Sequence, residues 1–530
     1  MALRINFNYS SAVTQTALET NNRLMNKSLL RLSTGLRILN AADDSAGLFI
    51  SDQLALVAAG LEQGNRNIQT GISALQIAEN SAGQIYNKLK EIYVKAENAA
   101  NDINDPNARA ALQREIDNLI SAIDKIGRDT EYNGIKLLDG TFTGKYIHYG
   151  ARKDQVISID IDSVLPKDLG AYIAKAQGSV YASASAGTNA TLAADLGSPS
   201  NWVVESGDYV DIAGIRVISW DGTDRLVDAK TLADSINSNT DLQVLGIEAQ
   251  ARNSSTAAEN YTGFGNFWTD ADDTLNSLTL DFFVGNADVT SASGDFQVTI
   301  DSNVTSLQQL VDKINTAASA AGKDVKAKAV DGKLVVETGN GETIAVKFTA
   351  SVTTGGGGDG KVTVSLGQLF EGLSDVDFQN NQTYFYVKVG EVDIAGVDTY
   401  KVTYSGVSGA NQGFNFDVSP GGDATAKNLN SVNVLTNPRA EEALLIIKKA
   451  IQRVDIVRSE IGAVMNNLQT IYDAQKVAYD NTKEAENVIR NVDFSKEMMT
   501  FTTMQIRMQS GVAMLAQANT LPQLVLQLLR

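Results

Sequence analysis

Two stretches of this chain, separated by roughly 400 residues, carry apolar side chains at alternating steps of four and three. In the first, Leu18, Asn22, Met25, Leu29, Leu32, Leu36 and Leu39 keep that step with only Asn22 polar. Such a run is a coiled-coil seam and predicts one amphipathic helix reaching about residue 40. In the second, Leu444, Ile447, Ile451, Val454, Ile461, Met465, Leu468 and Tyr472 keep the step, interrupted at Arg458. Leu112, Ile116, Leu119, Ile123 and Ile126 form a third stripe, and Ala82, Ile85, Leu89, Ile92 and Ala96 a fourth. Burying one Leu or Ile on such a stripe contributes about 1.5–3 kcal/mol before entropy is subtracted. The stripes therefore predict a helical bundle made from both ends of the chain. A last stripe, Phe501, Met504, Met508, Gly511, Leu515 and Ala518, runs toward Pro522, Leu524, Leu526, Leu528 and Leu529. Isolated helices of this kind are marginal in water, and exposed leucines mark an interaction surface.

Between the stripes the pattern changes. Asn40 ends the first helix, and Asp43 or Asp44 is placed to cap a second. A long helix is expected from about Gln63 to Asn98, and another from Asp105-Pro106 to about Arg128. Tyr132-Asn133-Gly134 and Asp139-Gly140 read as turns, and Val156 to Ile161 as a strand. From about residue 175, Ser, Thr, Asn, Asp and Gly dominate around short β-branched runs. Lys333–Thr338, Thr343–Phe348 and Thr383–Val389 are strand candidates, with Gly355 to Gly358 as a hairpin tip. Leu232 to Asn237 and Leu310 to Asn315 repeat one pattern at a 78-residue offset, and each Asn precedes an alanine, Ala249 or Ala327, by twelve residues. Two related modules, each a short helix leading into a strand, are expected. The fold class is thus α+β: a discontinuous N/C-terminal helical coiled-coil bundle with a β-rich, multi-module central insertion. Its expected parts are 1–40 with 491–530 (terminal helices), 41–175 with 431–490 (bundle and small β element) and 176–430 (surface insertion).

Charge sharpens this division. The formal net charge of −18 resides in residues 151–430, where 36 acidic residues face 18 basic ones, and the two ends sum to zero. Nucleic acid and acidic membranes are excluded as partners, because no basic patch is on offer. No run approaches the length of a transmembrane helix or of a cleaved signal peptide's apolar core. With no cysteine, thiolate chemistry is excluded, and with one histidine neither a paired-histidine metal site nor a Ser-His-Asp triad is expected. His148 reads as a strand-end residue, and Asp270 with Asp273, one pair among many acids, as solvated carboxylates. No catalytic residue, cofactor or metal site is expected.

Leu32-Ser33-Thr34-Gly35-Leu36-Arg37-Ile38 followed by Asn40-Ala41-Ala42-Asp43-Asp44-Ser45-Ala46-Gly47 resembles the N-terminal signature of bacterial flagellins. Thr130 to Leu138 and the ending from Gln517-Ala518-Asn519 to Arg530 resemble the same family. The resemblance spans about 1–165 and 435–530, and the repeated Leu-x-x-x-Ile-Asn segments are similar to small modules of flagellin variable regions. It implies a self-assembling subunit of the filament that drives swimming, exported without signal cleavage to the extracellular flagellum. It also implies partners: other copies of the chain, an export chaperone, and junction and cap proteins.

On this reading the assembly seam is Leu18, Met25, Leu29, Leu32, Leu36, Leu39, Phe501, Met504, Met508, Leu515, Leu524 and Leu528. The bundle core is Leu89, Ile92, Leu112, Ile116, Leu119, Ile123, Leu444, Ile447, Ile451, Val454, Ile461 and Leu468. Family resemblance places a Toll-like receptor 5 patch at Lys88, Ile92 and Glu115. Lys88 stands where the family pattern has arginine, and lysine lacks the planar fork for bidentate contacts, so a solvated helix face is the preferred reading. The alternatives are a hook-filament junction protein of the same architecture, whose group carries prolines near the paired aspartates, and an adhesive role of the outer modules, with Tyr384-Phe385-Tyr386 or glycans on Asn-x-Ser/Thr triplets as contacts.

Overall fold

The computed structural model describes residues 8–101, 103–183, 207–219, 227–285, 293–356, 358–409 and 412–528, of which 408, 409, 412 and 521–528 are described by their backbone alone. Its helices are α1 (Tyr9–Thr34), α2 (Ser45–Ala99), α3 (Pro106–Asp129), α4 (Ala229–Ser238), α5 (Thr240–Val244), α6 (Leu307–Ala320), α7 (Asn437–Arg490) and α8 (Phe494–Leu528). Helices at both ends and strands between them make the α+β arrangement. The chain divides into two compact units: Met1–Asn80 with Glu131–Asp162 and Ser459–Arg530, and Ser81–Thr130 with Ser163–Arg458. The second unit groups the middle of the chain with all of α3 and with parts of α2 and α7, which the apolar stripes assigned to the bundle.

Two helix boundaries differ from the sequence pattern. α1 stops at Thr34, because Gly35 takes a left-handed φ of 73° and donates its N–H to the Arg31 carbonyl. Leu36 and Leu39 therefore lie outside the helix. Leu36 instead forms an antiparallel bridge with Asn491, and Arg37 donates from Nε and NH2 to the Ile489 carbonyl at 3.0 and 2.6 Å. α2 begins some 18 residues before the expected Gln63, at Ser45. Asp44 opens it, its Oδ1 accepting the Gly47 N–H at 2.8 Å. Asp43 binds Lys27 at 2.5 Å and accepts the Leu39 N–H at 3.1 Å.

In the first unit, two small hairpins follow the helical frame. Glu131–Tyr132 pairs with Ile135–Lys136 through Asn133 and Gly134, both at positive φ, as an Asn-Gly hairpin turn requires. Lys145–His148 pairs with Val156–Ile159, and Asn67 of α2 donates to the His148 carbonyl at 2.9 Å. Glycines on α2 make this approach possible. A Cβ at Gly64 would come within 1.9 Å of the Tyr149 carbonyl oxygen, and one at Gly71 within 2.0 Å of Ile147 Cδ1.

In the second unit, α2 buries Ala82, Ile85, Leu89, Ile92 and Ala96, α3 buries Ile116, Ile120 and Ile123, and α7 buries Ile447 and Val454. A five-stranded antiparallel sheet runs in the order Phe296–Asp301, Thr274–Val284, Ile344–Thr353, Thr383–Lys388, Val180–Ala182. Both its faces are covered: Leu280, Phe282, Val346, Phe348, Tyr384 and Tyr386 enter one core, and Phe283, Ala345, Phe385 and Val387 another. This corrects the adhesive reading of Tyr384-Phe385-Tyr386. All three rings are buried, and the Tyr386 hydroxyl lies 2.8 Å from Ser255 Oγ. An eight-stranded sheet is built around Gly170–Gly178, Glu391–Gly396 and Glu248–Thr256. Gly355 to Gly358 is a correction as well: it joins strands of different sheets, since Ile344–Thr353 and Lys361–Ser365 are not partners.

The two repeated segments share one device. Asn237, at the end of α4, accepts the Ala249 N–H at 2.8 Å and donates to the Ala249 carbonyl at 2.7 Å. Asn315 of α6 does the same to Ala327, at 2.7 and 3.0 Å. Each amide thereby closes a helix-to-strand unit by behaving like one more residue of the sheet.

Candidate assembly interface

The seam forms from the two terminal helices of the first unit. Along α8 the half-buried or buried positions are Glu497, Phe501, Met504, Met508, Gly511, Leu515 and Ala518, one side of the helix at steps of four and three. Along α1 they include Thr14, Leu18, Asn21, Met25, Ser28 and Leu32. The helices run antiparallel and their contacts follow in order. Asn8 donates to the Ala518 carbonyl at 2.9 Å, Leu18 lies over Gly511, Asn21 donates to the Met504 carbonyl at 2.9 Å, and Ser28 donates to Glu497 Oε1 at 2.6 Å. Asn21 and Ser28 thus satisfy polar atoms at positions that an apolar count passes over; their signal in the sequence is only the seven-residue spacing.

The residues of the expected seam separate into three groups. Leu18, Met25 and Leu32 on α1, with Phe501, Met504, Met508 and Leu515 on α8, lie on the mutually facing sides. Leu29 lies elsewhere: it is 51% exposed, and Asn22 is exposed too, so Asn21 rather than Asn22 is the asparagine in the seam. Leu36 and Leu39 sit in the connection to α2. The α8 backbone continues as helix through Pro522 to Leu528, and the side chains of Leu524 and Leu528 lie outside the described residues.

The outward sides of the pair are apolar as well. Tyr9, Val13, Leu24, Leu29 and Leu30 on α1 are exposed, as are Phe494, Met498, Met499, Ile506, Val512 and Met514 on α8. Tyr9, Val13, Ala17, Leu24 and Gly511 help line a groove of about 770 Å³ along the pair, with Arg507 at its edge. Exposed large apolar side chains in this number on water-facing helices mark a surface awaiting a partner.

Of the expected bundle core, Leu89, Ile92, Ile116, Ile123, Ile447, Val454, Ile461 and Leu468 are buried, while Leu112, Leu119, Leu444 and Ile451 are half-buried. Ile120, Val457 and Ala443 join them without having been singled out by the stripe. The three receptor-patch positions differ in exposure and partners. Ile92 is 0% exposed, Lys88 pairs with Glu91 at 3.0 Å, and Glu115 pairs with Lys95.

Candidate chemistry resolves into structure. His148 ends its strand with an exposed ring set edge-on to Tyr146. Asp270, Asp273 and Asp359 bring carboxylate oxygens within 4.8 Å of one another. Asp273, however, is buried rather than solvated. It accepts the backbone N–H groups of Gly355, Gly360 and Lys361 at 2.9, 2.7 and 3.0 Å, so its oxygens are engaged in holding that loop. Backbone N–H donors from Asp273 and Asp272 hold the Asp270 carboxyl below its usual range. Asn253, in an Asn-x-Ser triplet, is buried and donates to the Glu342 and Lys388 carbonyls, which leaves no free amide for a glycan; Asn189 lies outside the described residues.

Comparison with known proteins completes the description. Residues 5–143 match the bacterial flagellin N-terminal helical region, and residues 444–529 the bacterial flagellin C-terminal helical region. A flagellin of Aquifex pyrophilus is 49% identical over 533 residues, and one of Aquifex aeolicus 48% over 549, each alignment covering all of both chains. The solved structure of FliC from Burkholderia pseudomallei aligns with 75% of this chain and 99% of its own, at 15% identity and a TM-score of 0.29.

Proposed function

This chain belongs to the bacterial flagellin family and is a structural subunit of the flagellar filament, and from that premise we propose that the α1–α8 pair is the part that binds neighbouring copies. The observation that carries the proposal is the apolar outward surface of both helices, next to side chains that already satisfy one another between them. Leu18, Met25, Leu32, Phe501, Met504, Met508 and Leu515 hold the pair together. Leu24, Leu29, Leu30, Met499, Ile506 and Met514 supply the contact with the next subunit. Head-to-tail repetition of one such contact does not close on itself and gives a helical polymer.

The remaining parts follow from the same reading. Residues 41–175 with 431–490 act as a helical bundle, and 176–430 is an insertion whose acidic surface opposes lateral clumping of filaments. The chain leaves the cell unfolded, without cleavage of a signal, escorted by an export chaperone, and is received by junction and cap proteins. No helix among the described residues is long and apolar enough to cross a membrane. The family is structural, and no catalytic role is assigned to this chain. The helix face carrying Lys88 and Glu115 is read as a solvated surface rather than a Toll-like receptor 5 contact, in keeping with the burial of Ile92.

Electron microscopy after addition of ammonium sulfate tests the assembly reading, with the full chain beside a version lacking residues 1–40 and 491–530. Long filaments from the full chain alone are expected. Monomers from both, even with filament seeds present, would overturn the assignment of assembly to the α1–α8 pair.

A further inference from the structure

Strand Glu391–Gly396 carries a carboxylate that its surroundings do not fully neutralise. Asp393 is buried at 8% exposure, with Lys175 Nζ at 3.9 Å and Arg252 NH2 at 3.7 Å, both beyond hydrogen-bond length. Each cation is drawn to a nearer acid. Lys175 pairs with Glu442 at 3.0 Å, and Arg252 pairs with Glu391 at 3.1 Å, reaches Glu441 at 3.7 Å and donates to the Pro438 carbonyl at 3.3 Å. Pro438, Glu441 and Glu442 belong to the first turns of α7. Lys175 and Arg252 belong to the two strands that flank Asp393 in the eight-stranded sheet. Asp393 therefore shares Lys175 and Arg252 with Glu391, Glu441 and Glu442 where the sheet meets the helix, and it is the most buried of the four acids.

We propose that Asp393 is a proton-operated latch: taking up one proton, it tightens the first turns of α7 against the eight-stranded sheet. Neutral Asp393 stops competing for Lys175 and Arg252, which then serve only the acids that tie the helix down. No bond is made or broken beyond the O–H. The other groups nearby do not take over the role. Tyr400 donates its hydroxyl to the Ile394 carbonyl at 2.7 Å, and Asp417 accepts the Lys175 backbone N–H at 2.8 Å. Burial, outweighing the two cations, holds the Asp393 carboxyl above its usual range, and Glu442 and Glu391 push in the same direction. The sign follows from linkage. The docked state binds this proton more tightly than the undocked one, so docking strengthens as pH falls from neutral toward the ordinary carboxylate range.

Amide hydrogen exchange of the full chain reads this directly, at about pH 8 and about pH 5.5 with rates corrected for intrinsic exchange. Amides of residues 437–447 and 391–396 are expected to exchange several-fold more slowly at the lower pH. Asp393→Asn, uncharged at every pH, is expected to exchange slowly at both. Glu442→Gln, which returns Lys175 to Asp393, is expected to shrink the pH effect while leaving the unit folded. Exchange in the unaltered chain that is unchanged or faster at the lower pH overturns the latch. So does faster exchange in Asp393→Asn than in the unaltered chain at both pH values, which would make the carboxylate a plain anchor.

Discussion

The Cδ2 methyl of Leu18 occupies the space that a side chain on Gly511 would need: a Cβ built there would lie 2.8 Å away. These residues stand near the two ends of the sequence, and their contact sets how closely α1 and α8 approach. The obstructing atom is the tip of a flexible side chain, so a small addition can be absorbed. Gly511→Ala is expected to polymerise normally, because helix propensity gains about 1 kcal/mol while Leu18 shifts its rotamer. Gly511→Phe is expected to force the helices apart and reduce polymer yield at least tenfold, as measured by sedimentation.

Leu29 and Leu32 separate the two sides of α1. Leu32→Asp places a charge between the paired helices, where it is desolvated. Loss of polymerisation is expected, together with reduced helical circular dichroism and unchanged near-ultraviolet signals from the buried aromatics of the middle region. Leu29→Glu changes a residue that is half-exposed in the single chain. It should leave the monomer's spectra intact and still depress polymerisation. Normal filaments from Leu29→Glu would show that this side of the helix meets no neighbour.

The brackets at Asn237 and Asn315 predict equal costs at two distant positions. Replacing either by Ala leaves a backbone N–H and a carbonyl without partners, a loss of about 1–3 kcal/mol. Urea unfolding followed by tyrosine and tryptophan fluorescence checks this. A cost of a few tenths of a kcal/mol at either position would mean that the helix-to-strand unit does not depend on its bracket.

Asp43 makes the start of α2 sensitive to acid. Its hydrogen bond to Lys27, with the Leu39 N–H adding, holds the carboxyl below the usual range. A depressed folded value means the stabilisation is fully present above the unfolded carboxylate pKa. It is lost as pH falls through the folded one, below about 3.8. Hydrogen exchange over residues 35–47 should therefore accelerate at strongly acidic pH, and Asp43→Asn should show that acceleration already at neutral pH. A variant indistinguishable from the unaltered chain at neutral pH would remove Asp43 from this role.

The heptad steps by themselves determined that both ends are helical and apolar on one side, because a 3.6-residue turn turns spacing into a face without reference to any other part of the chain. The Asn-Gly turn at 133–134, the Asp105-Pro106 helix start and the Asn repeat were legible for the same reason: each acts through neighbours close in sequence. What spacing left open was which apolar residues meet a partner within the chain. Leu29 follows the same step as Leu32 yet faces outward, and Asn21 and Ser28 occupy facing positions because Met504 and Glu497, nearly 500 residues away, offer them acceptors. The end of α1 at Gly35 likewise depends on a distant segment, Ile489 to Asn491, that pairs with the chain after it. Burial of Tyr384 to Tyr386 and the engagement of Asp273 were equally hidden, since a strand covered on both faces and a carboxylate surrounded by loop N–H groups acquire their surroundings only from segments brought together by folding.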